Sequence, residues 1–293
     1  MEEKKVGAGD VFGTSAVFES MQKDSRSSAG QIVPLILELI TPQRVIDLGC
    51  GTGDFLAVFK KYGIKHVVGV DGDWVDRKML QIREEEFISH DLTQPFKSET
   101  QFDLACSFGV AQHLSVSRAD GFIEELTRLA PVVVFNAPIP FQPPNPYVAG
   151  KYPLNEQWPE YWAALFKKKG FIAIDCLRIK LWNNNKVASH YAQSIVLYVR
   201  GDYVNNNPAL KNELEKSTLS PASLVHPAQY IQLRKEYERC IQSGGVSPQA
   251  TPYGIKTADL TTMSLKEALQ LFIKTLVALP FVAVQALKRK LSR

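Results

Sequence analysis

From Arg44 onward the chain alternates short apolar runs with amphipathic stretches. The apolar runs predict strands at Arg44–Leu48, His66–Val70, Glu86–Ser89, Phe102–Ser107, Pro131–Asn136, Phe171–Arg178 and Tyr191–Val199. Helical spacing of apolar residues predicts helices at Gly53–Tyr62, Trp74–Gln81, Arg118–Leu129 and Gln157–Lys169, between the first six strands. Such alternation argues for an α/β fold, a mostly parallel sheet with helices on both faces. The last two strands are joined by the polar turn Trp182–Lys186, with no crossover helix, and are therefore expected to pair antiparallel.

Around this block the texture differs. Residues 1–13 read as a loose polar arm, and Thr14 to about Met21 as a short helix. A second helix is expected through Ile32, Leu35, Ile36, Leu39 and Ile40. Ser27 or Ser28 would cap it, in which case Pro34 should kink it; a start near Gln31 would put Pro34 in the tolerated first turn. Thr41-Pro42 ends it either way. Beyond Arg200, Asn205–Pro208 reads as a linker and Pro227–Ile241 as a helix. A polar stretch follows at Ser243–Pro252, and Ser264–Glu267 has the capping-box spacing that opens an apolar helix to about Leu279. The expected organisation is an arm (1–27), an α/β domain (28–200) and a helical C-terminal extension (201–293).

Composition narrows the class. With 293 residues, 45% of them apolar and 22% charged, the chain is ordinary globular material with enough apolar mass for a core. A net charge of +4, on 34 basic and 30 acidic residues, gives no reason to expect nucleic acid as a partner. The four cysteines are far apart and form neither a zinc pattern nor a disulfide framework. The charged start, Met1 to Lys5, lacks the apolar stretch of a secretory signal, so a cytoplasmic location is expected.

The most informative segment is Val45–Phe55, VIDLGCGTGDF. An apolar strand runs into Gly49, Gly51 and Gly53, where glycine permits a tight turn and close approach of a ligand to the backbone. A dinucleotide loop needs G-x-G-x-x-G, yet Asp54 follows Gly53 and would set a carboxylate where a pyrophosphate should sit. A nicotinamide oxidoreductase therefore ranks last. Asp47, two residues ahead of the loop, suits a ligand that carries an ammonium and a sulfonium. Asp71, followed by Gly72, ends strand 2 where a ribose diol can be held. Asp91 follows strand 3, where it can accept from an exocyclic amine, and Leu92 offers a backbone N–H to an adenine edge. Ser107 ends strand 4. All of them converge outside the carboxyl ends of the strands, where open α/β sheets bind ligands.

With these residues in place the sequence resembles the class I S-adenosylmethionine-dependent methyltransferases over about residues 28–200. Val45–Gly53 matches that superfamily's first motif, and Asp71, Asp91-Leu92 and Phe102–Ser107 match the next three in order. The resemblance implies a Rossmann-like seven-stranded sheet with an antiparallel last strand, S-adenosylmethionine as cofactor and S-adenosylhomocysteine as product. Pro131–Phe135, Ile139-Pro140, Asn155–Trp162, the Arg178/Trp182/Asn184 hairpin and Val225–Pro227 also resemble a bacterial subgroup associated with surface-polysaccharide assembly. That implies methylation of a sugar or glycan precursor. The subgroup usually shows Glu-Val-Ala-Glu-His-Leu after strand 4, where this chain has Gly109 to Leu114 with Gln112 in place of the second Glu. Related enzymes hold a divalent metal there through carboxylates, so no metal is expected. Pro153 stands where the subgroup tends to carry a histidine.

Methyl transfer from a sulfonium is an in-line displacement that depends on alignment, and an alcohol acceptor also needs a base. His113, just after strand 4, and Glu156 are the candidates, with a packed helix-start histidine and a helix cap as their structural alternatives. Gln142, Asn155, Trp158, Tyr161 and Trp162 are candidate acceptor contacts; the three aromatics stack on a sugar face or pack the core at helical spacing. Leu271–Leu287, with the basic end Lys288–Arg293, suits a helix on an anionic membrane face or one packed on protein. The acceptor class stays open between a saccharide hydroxyl and another small-molecule amine, hydroxyl or carboxyl. A catalytically inactive scaffold is the non-enzymatic alternative.

Overall fold

The computed structural model describes residues 15–140, 142, 154–218 and 220–242. The chain divides into two compact units, Met1–Leu233 and Arg234–Arg293, with the division inside the last described helix. The expected apolar helix and basic end at 264–293, the proline-rich 143–153 and the arm 1–13 lie outside the described residues.

Seven strands form one sheet: β1 (Arg44–Leu48), β2 (His66–Asp71), β3 (Phe87–Ser89), β4 (Leu104–Phe108), β5 (Val132–Asn136), β6 (Phe171–Ile174) and β7 (Val196–Arg200). Their order is β3-β2-β1-β4-β5-β7-β6. The first five are parallel, whereas β7 runs antiparallel to both β5 and β6. The order reverses between β1 and β4, which opens a crevice at their carboxyl ends. This is the Rossmann-like methyltransferase sheet that the resemblance implied.

The central strands β1, β4 and β5 are buried on both faces and accordingly read as near-continuous apolar runs; Val132 to Asn136 is buried throughout. One face packs against α1 (Ser15–Leu37), α2 (Asp54–Lys61), α5 (Leu177–Leu181), α6 (Ser189–Ser194) and α8 (Pro208–Lys216), through Ile32, Ile36, Phe59, Leu197 and Leu210. The other packs against α3 (Val116–Leu129) and α4 (Pro159–Lys168) through Phe122, Ile123, Phe135, Phe166 and Tyr198. Phe166 and Tyr198 stack there with ring centroids 3.8 Å apart.

Several expectations are corrected. The two N-terminal helices are one, α1, which runs through Pro34. Ser27 and Ser28 do not cap it: the Ser27 hydroxyl donates to the Lys186 carbonyl (2.7 Å) and the Ser28 hydroxyl accepts from the Ala188 N–H (3.0 Å). Trp74–Gln81 holds only a 3-10 turn at Arg77–Met79. The Gln81 N–H is bonded to the Thr52 carbonyl (2.8 Å) and Ile82 packs under Gly53, so the segment is drawn onto the glycine loop. The ends of the predicted sixth and seventh strands are helical instead, as α5 and α6. The connection between β6 and β7 is therefore two short helices, although their pairing is antiparallel as expected. Asn205–Pro208 is no linker either: α7 (Gly201–Asn205) leads into α8, Asn207 caps α8 by accepting from the Leu210 N–H (3.1 Å), and its amide donates to the Leu39 carbonyl (3.1 Å).

Candidate cofactor and acceptor site

At the carboxyl end of β1 the backbone turns through Gly49, Gly51 and Gly53 at φ of +87°, +53° and +83°, a region that side-chain-bearing residues rarely adopt. Space adds a second requirement at Gly49, where a Cβ would stand 2.0 Å from a methyl carbon of Val110. The loop closes against β2: the Gly49 N–H donates to the Val70 carbonyl (2.7 Å) and the Gly51 N–H to the Asp71 carboxylate (2.8 Å). The other Asp71 oxygen accepts from the Gly72 N–H (2.7 Å). The Trp74 side chain also hydrogen-bonds this carboxylate, which keeps acceptor capacity for a ligand hydroxyl.

Asp47 lies beneath the loop, 2% exposed, with Oδ1 lacking any hydrogen-bond partner among the described residues. Burial, with the Asp71 charge added to it, pushes the Asp47 carboxyl up to about 7. A buried acceptor of this kind is costly unless a donor meets it, and a ligand ammonium is the donor it fits. Ser107, wholly buried on β4, likewise has an unpartnered hydroxyl.

Asp54 answers the question that the loop spacing raised. Its carboxylate is buried at the first turn of α2, accepting from Arg26 Nε (2.6 Å) and the Thr52 hydroxyl (2.8 Å), and Gln22 donates to that hydroxyl (3.2 Å). The place a dinucleotide would need for pyrophosphate is thus occupied by protein charge. On the ribose side, Asp91 is exposed and caps its own turn by accepting from the Thr93 N–H (2.9 Å), while Leu92 is buried beside it. Trp74, 44% exposed, lies flat against Gly72, whose missing side chain makes room for the ring.

The residues expected to meet an acceptor lie after β4 and β5 and around the start of α4. His113 ends a 3-10 turn at Ala111–His113 and is half-buried. Gln112 is buried; its amide donates to the Gly109 carbonyl (2.6 Å) and its own backbone carbonyl receives the N–H groups of Leu154 and Asn155. The segment that carries Asn155 and Glu156 is therefore stitched to the end of β4. Glu156 is not the cap of α4, because the helix begins at Pro159 with Trp158 at its N-cap. Gln142 folds onto its own turn, its side-chain oxygen accepting from the Ile139 N–H (3.3 Å). Trp158 and Tyr161 are half-buried, but Trp162 is 2% exposed and packs against Phe135 (5.2 Å). Trp162 is a core residue and offers no stacking face to a ligand, which corrects that expectation.

Three residues in this region gave no sequence signal. Asn136, at the carboxyl end of β5, donates through its amide to the His190 carbonyl (3.0 Å) and the Ser194 hydroxyl (2.8 Å), which seats α6 on that strand end. Tyr191 packs edge-on against Phe55 and Phe108, themselves stacked at 4.0 Å beside the glycine loop. Burial pushes the His190 imidazole down to about 4, so it is neutral at physiological pH. Among the described residues no group of three or more His, Cys, Asp or Glu side chains could hold a metal ion, and no helix is long and apolar enough to cross a membrane.

Sheet order, reversed last strand and glycine loop together define the class I methyltransferase fold. Residues 21–136 match a family model described as a methyltransferase domain, a segment that holds Asp47, the three loop glycines, Asp71, Asp91 and Ser107. S-adenosylmethionine is the cofactor of such domains, and the unpartnered Asp47 oxygen and the glycine cradle fit it. No curated protein matches the sequence. Among solved structures, a candidate O-methyltransferase of Nostoc punctiforme aligns at 14% identity and TM-score 0.46, covering 62% of this chain and 58% of that one. The chain thus spans less than two thirds of that protein's length. An amino pentose methyltransferase of Micromonospora echinaspora aligns at 20% identity and TM-score 0.36, covering 43% and 56%. Human N-acetylserotonin methyltransferase aligns at 15% identity and TM-score 0.42, covering 62% and 54%.

Proposed function

We propose that this protein transfers the methyl group of S-adenosylmethionine to a hydroxyl of a sugar or glycan precursor. The cofactor supplies a methyl group on a sulfonium, a good leaving group. The protein's task is then to hold the acceptor oxygen in line with it and to take the hydroxyl proton.

The observation that supports the hydroxyl reading is the character of the acceptor side. Asn136, Ser194, Gln112 and Asn155 make it polar and, apart from Glu156, without formal charge. A carboxylate would find no cation among these residues. A saccharide hydroxyl matches such a wall in both donors and acceptors. His113 is the proposed base, set at the end of β4, and Glu156 is proposed to orient the acceptor or share that role. Tyr161 and Trp158 keep enough exposure to contact a sugar face. A cytoplasmic location, with the C-terminal extension against a membrane face or a partner, belongs to the same proposal. The alternative acceptors of other chemistry are tested by the same assay.

The test is methyl transfer followed by mass spectrometry, with nucleotide-sugars and lipid-linked saccharides as acceptors and small amines and carboxylic acids beside them. Binding of S-adenosylhomocysteine, with Asp71→Ala as control, is measured first. A 14 Da gain on a saccharide, lost in His113→Ala, supports the reading. Transfer confined to amines or carboxylates overturns the acceptor class, and no cofactor binding by folded protein favours the scaffold alternative.

A further inference from the structure

Arg118 stands in the first turn of α3, where the helix's free N–H groups disfavour a cation. Its side chain is nonetheless folded inward, 12% exposed, with Nη2 2.7 Å from the carboxylate of Glu125, which is 10% exposed and seven positions along the same helix. Gly121 leaves room for the guanidinium, since a Cβ there would stand 3.0 Å from Nη1. Desolvation of two such charges roughly offsets their attraction, so the pair adds little stability by itself. Its effect is to hold a guanidinium in one place.

From there it reaches the loop that follows β3. Nε donates to the Thr93 carbonyl (3.3 Å) and Nη2 to the Gln94 carbonyl (3.1 Å). The incoming limb of the same loop is tied to β2, where the His90 N–H donates to the Asp71 carbonyl (2.8 Å). Asp91 and Leu92 lie between these two anchors. One Asp91 oxygen closes the turn on the Thr93 N–H, and the other faces no donor among the described residues. The Leu92 N–H likewise has no partner among them, although its side chain is buried. An adenine edge carries a donor amine beside an acceptor ring nitrogen, which this acceptor and this donor match. A 6-oxo purine reverses both positions, setting a carbonyl oxygen against the carboxylate and an N–H against the N–H. How strongly the reversed pattern is rejected depends on how firmly the loop is held.

We propose that Arg118, locked by Glu125, is a positioning residue that fixes the Asp91-Leu92 loop through the Thr93 and Gln94 carbonyls and so sets the preference for a 6-amino over a 6-oxo purine. The assignment rests on the cofactor reading above and adds to it a residue that touches no ligand. Arg118 acts through the loop backbone, and its loss is felt at the purine edge.

Isothermal titration of the full chain with S-adenosylhomocysteine and with S-inosylhomocysteine, its 6-oxo analogue, tests it. The wild type should prefer the adenine ligand by about 100-fold, for two reversed contacts. In Arg118→Met with Glu125→Gln, which removes the pair without leaving a lone buried charge, S-adenosylhomocysteine should weaken by about 10- to 30-fold and S-inosylhomocysteine by less than about threefold. Arg118→Lys keeps a charge for Glu125 but lacks the fork that spans two carbonyls; its preference should fall in between, and it decides the matter if the double variant does not fold. Equal weakening of both ligands overturns the proposal, because Arg118 would then only support the cleft as a whole. Unchanged binding of both overturns it as well. If the wild-type chain binds neither ligand, the cofactor reading itself fails; if it binds both equally, the cofactor reading stands and Arg118 has no purine edge to position.

Discussion

Replacing Asp47 with Asn separates stability from ligand binding. The Asp47 carboxyl is 2% exposed and raised to about 7, chiefly by burial. Relative to an ordinary carboxyl this amounts to about 4 kcal/mol against ionisation, at about 1.4 kcal/mol per pH unit. Because the folded-state value is raised, the cost is absent below about pH 4, grows as pH rises towards 7 and is complete above it. At pH 8 Asp47→Asn should therefore raise the stability of the ligand-free protein by about 1–3 kcal/mol, the amide's own desolvation offsetting part of the gain. By pH 5 the gain should fall to half or less. Urea denaturation at the two pH values measures this. The same variant should bind S-adenosylhomocysteine roughly 30- to 150-fold more weakly, because the ammonium loses its charged partner. A variant that is less stable than wild type at pH 8, or equally shifted at both pH values, would refute the account of Asp47 as a buried carboxylate kept for a ligand.

Three more outcomes follow from the same geometry. Cofactor binding near pH 6.5 should release roughly one proton, as Asp47 ionises to meet the ammonium, and affinity should fall about tenfold per pH unit further down; calorimetry in buffers of different ionisation enthalpy counts the proton. Gly49→Ala should cost more than about 2 kcal/mol, combining left-handed backbone with the Val110 clash, whereas Gly51→Ala, left-handed but in open space, should cost about 1. Denaturant midpoints of the two variants check the order, and a reversal would contradict it. Trp162→Phe removes a buried indole N–H that has no partner among the described residues and keeps most of the ring packing, so stability should change by less than about 1 kcal/mol and ligand binding not at all.

What the sequence made legible was what depends on neighbours in the chain. The runs of β1, β2 and β5 are apolar because both faces are covered, and the loop glycines follow from local backbone demands, so each carries its own signature. The predicted helix at Trp74–Gln81 failed because its backbone donor at Gln81 is claimed by Thr52, a bond that no local periodicity encodes. In α5, Leu177, Arg178 and Leu181 are all buried at a spacing that fits a helix, yet Leu177 and Arg178 stand only two residues beyond the apolar Phe171–Ile174 and extend the strand expected there to Arg178. The candidate cofactor residues gave a signal for the same reason as the loop, each lying at or just beyond the end of a strand. Arg26, Asn136 and His190 gave none, since each earns its position through partners far away in sequence.

The bonds from α1 to the segment before β7 have a consequence for how the protein is made. Ser25 meets Tyr191, and Ser28 meets Ala188, across 166 and 160 residues of chain. The glycine loop leaves the ribosome early, but the helix beside it is fastened to partners synthesised far later. At roughly 5–20 residues per second, that interval is on the order of ten to thirty seconds. During it Ile32, Val33 and Ile36 lack the α5–α6 surface that covers them in the finished fold. A nascent chain stalled before Lys186 would thus present an unfinished cofactor cleft and an exposed apolar helix face, the kind of surface that chaperones bind.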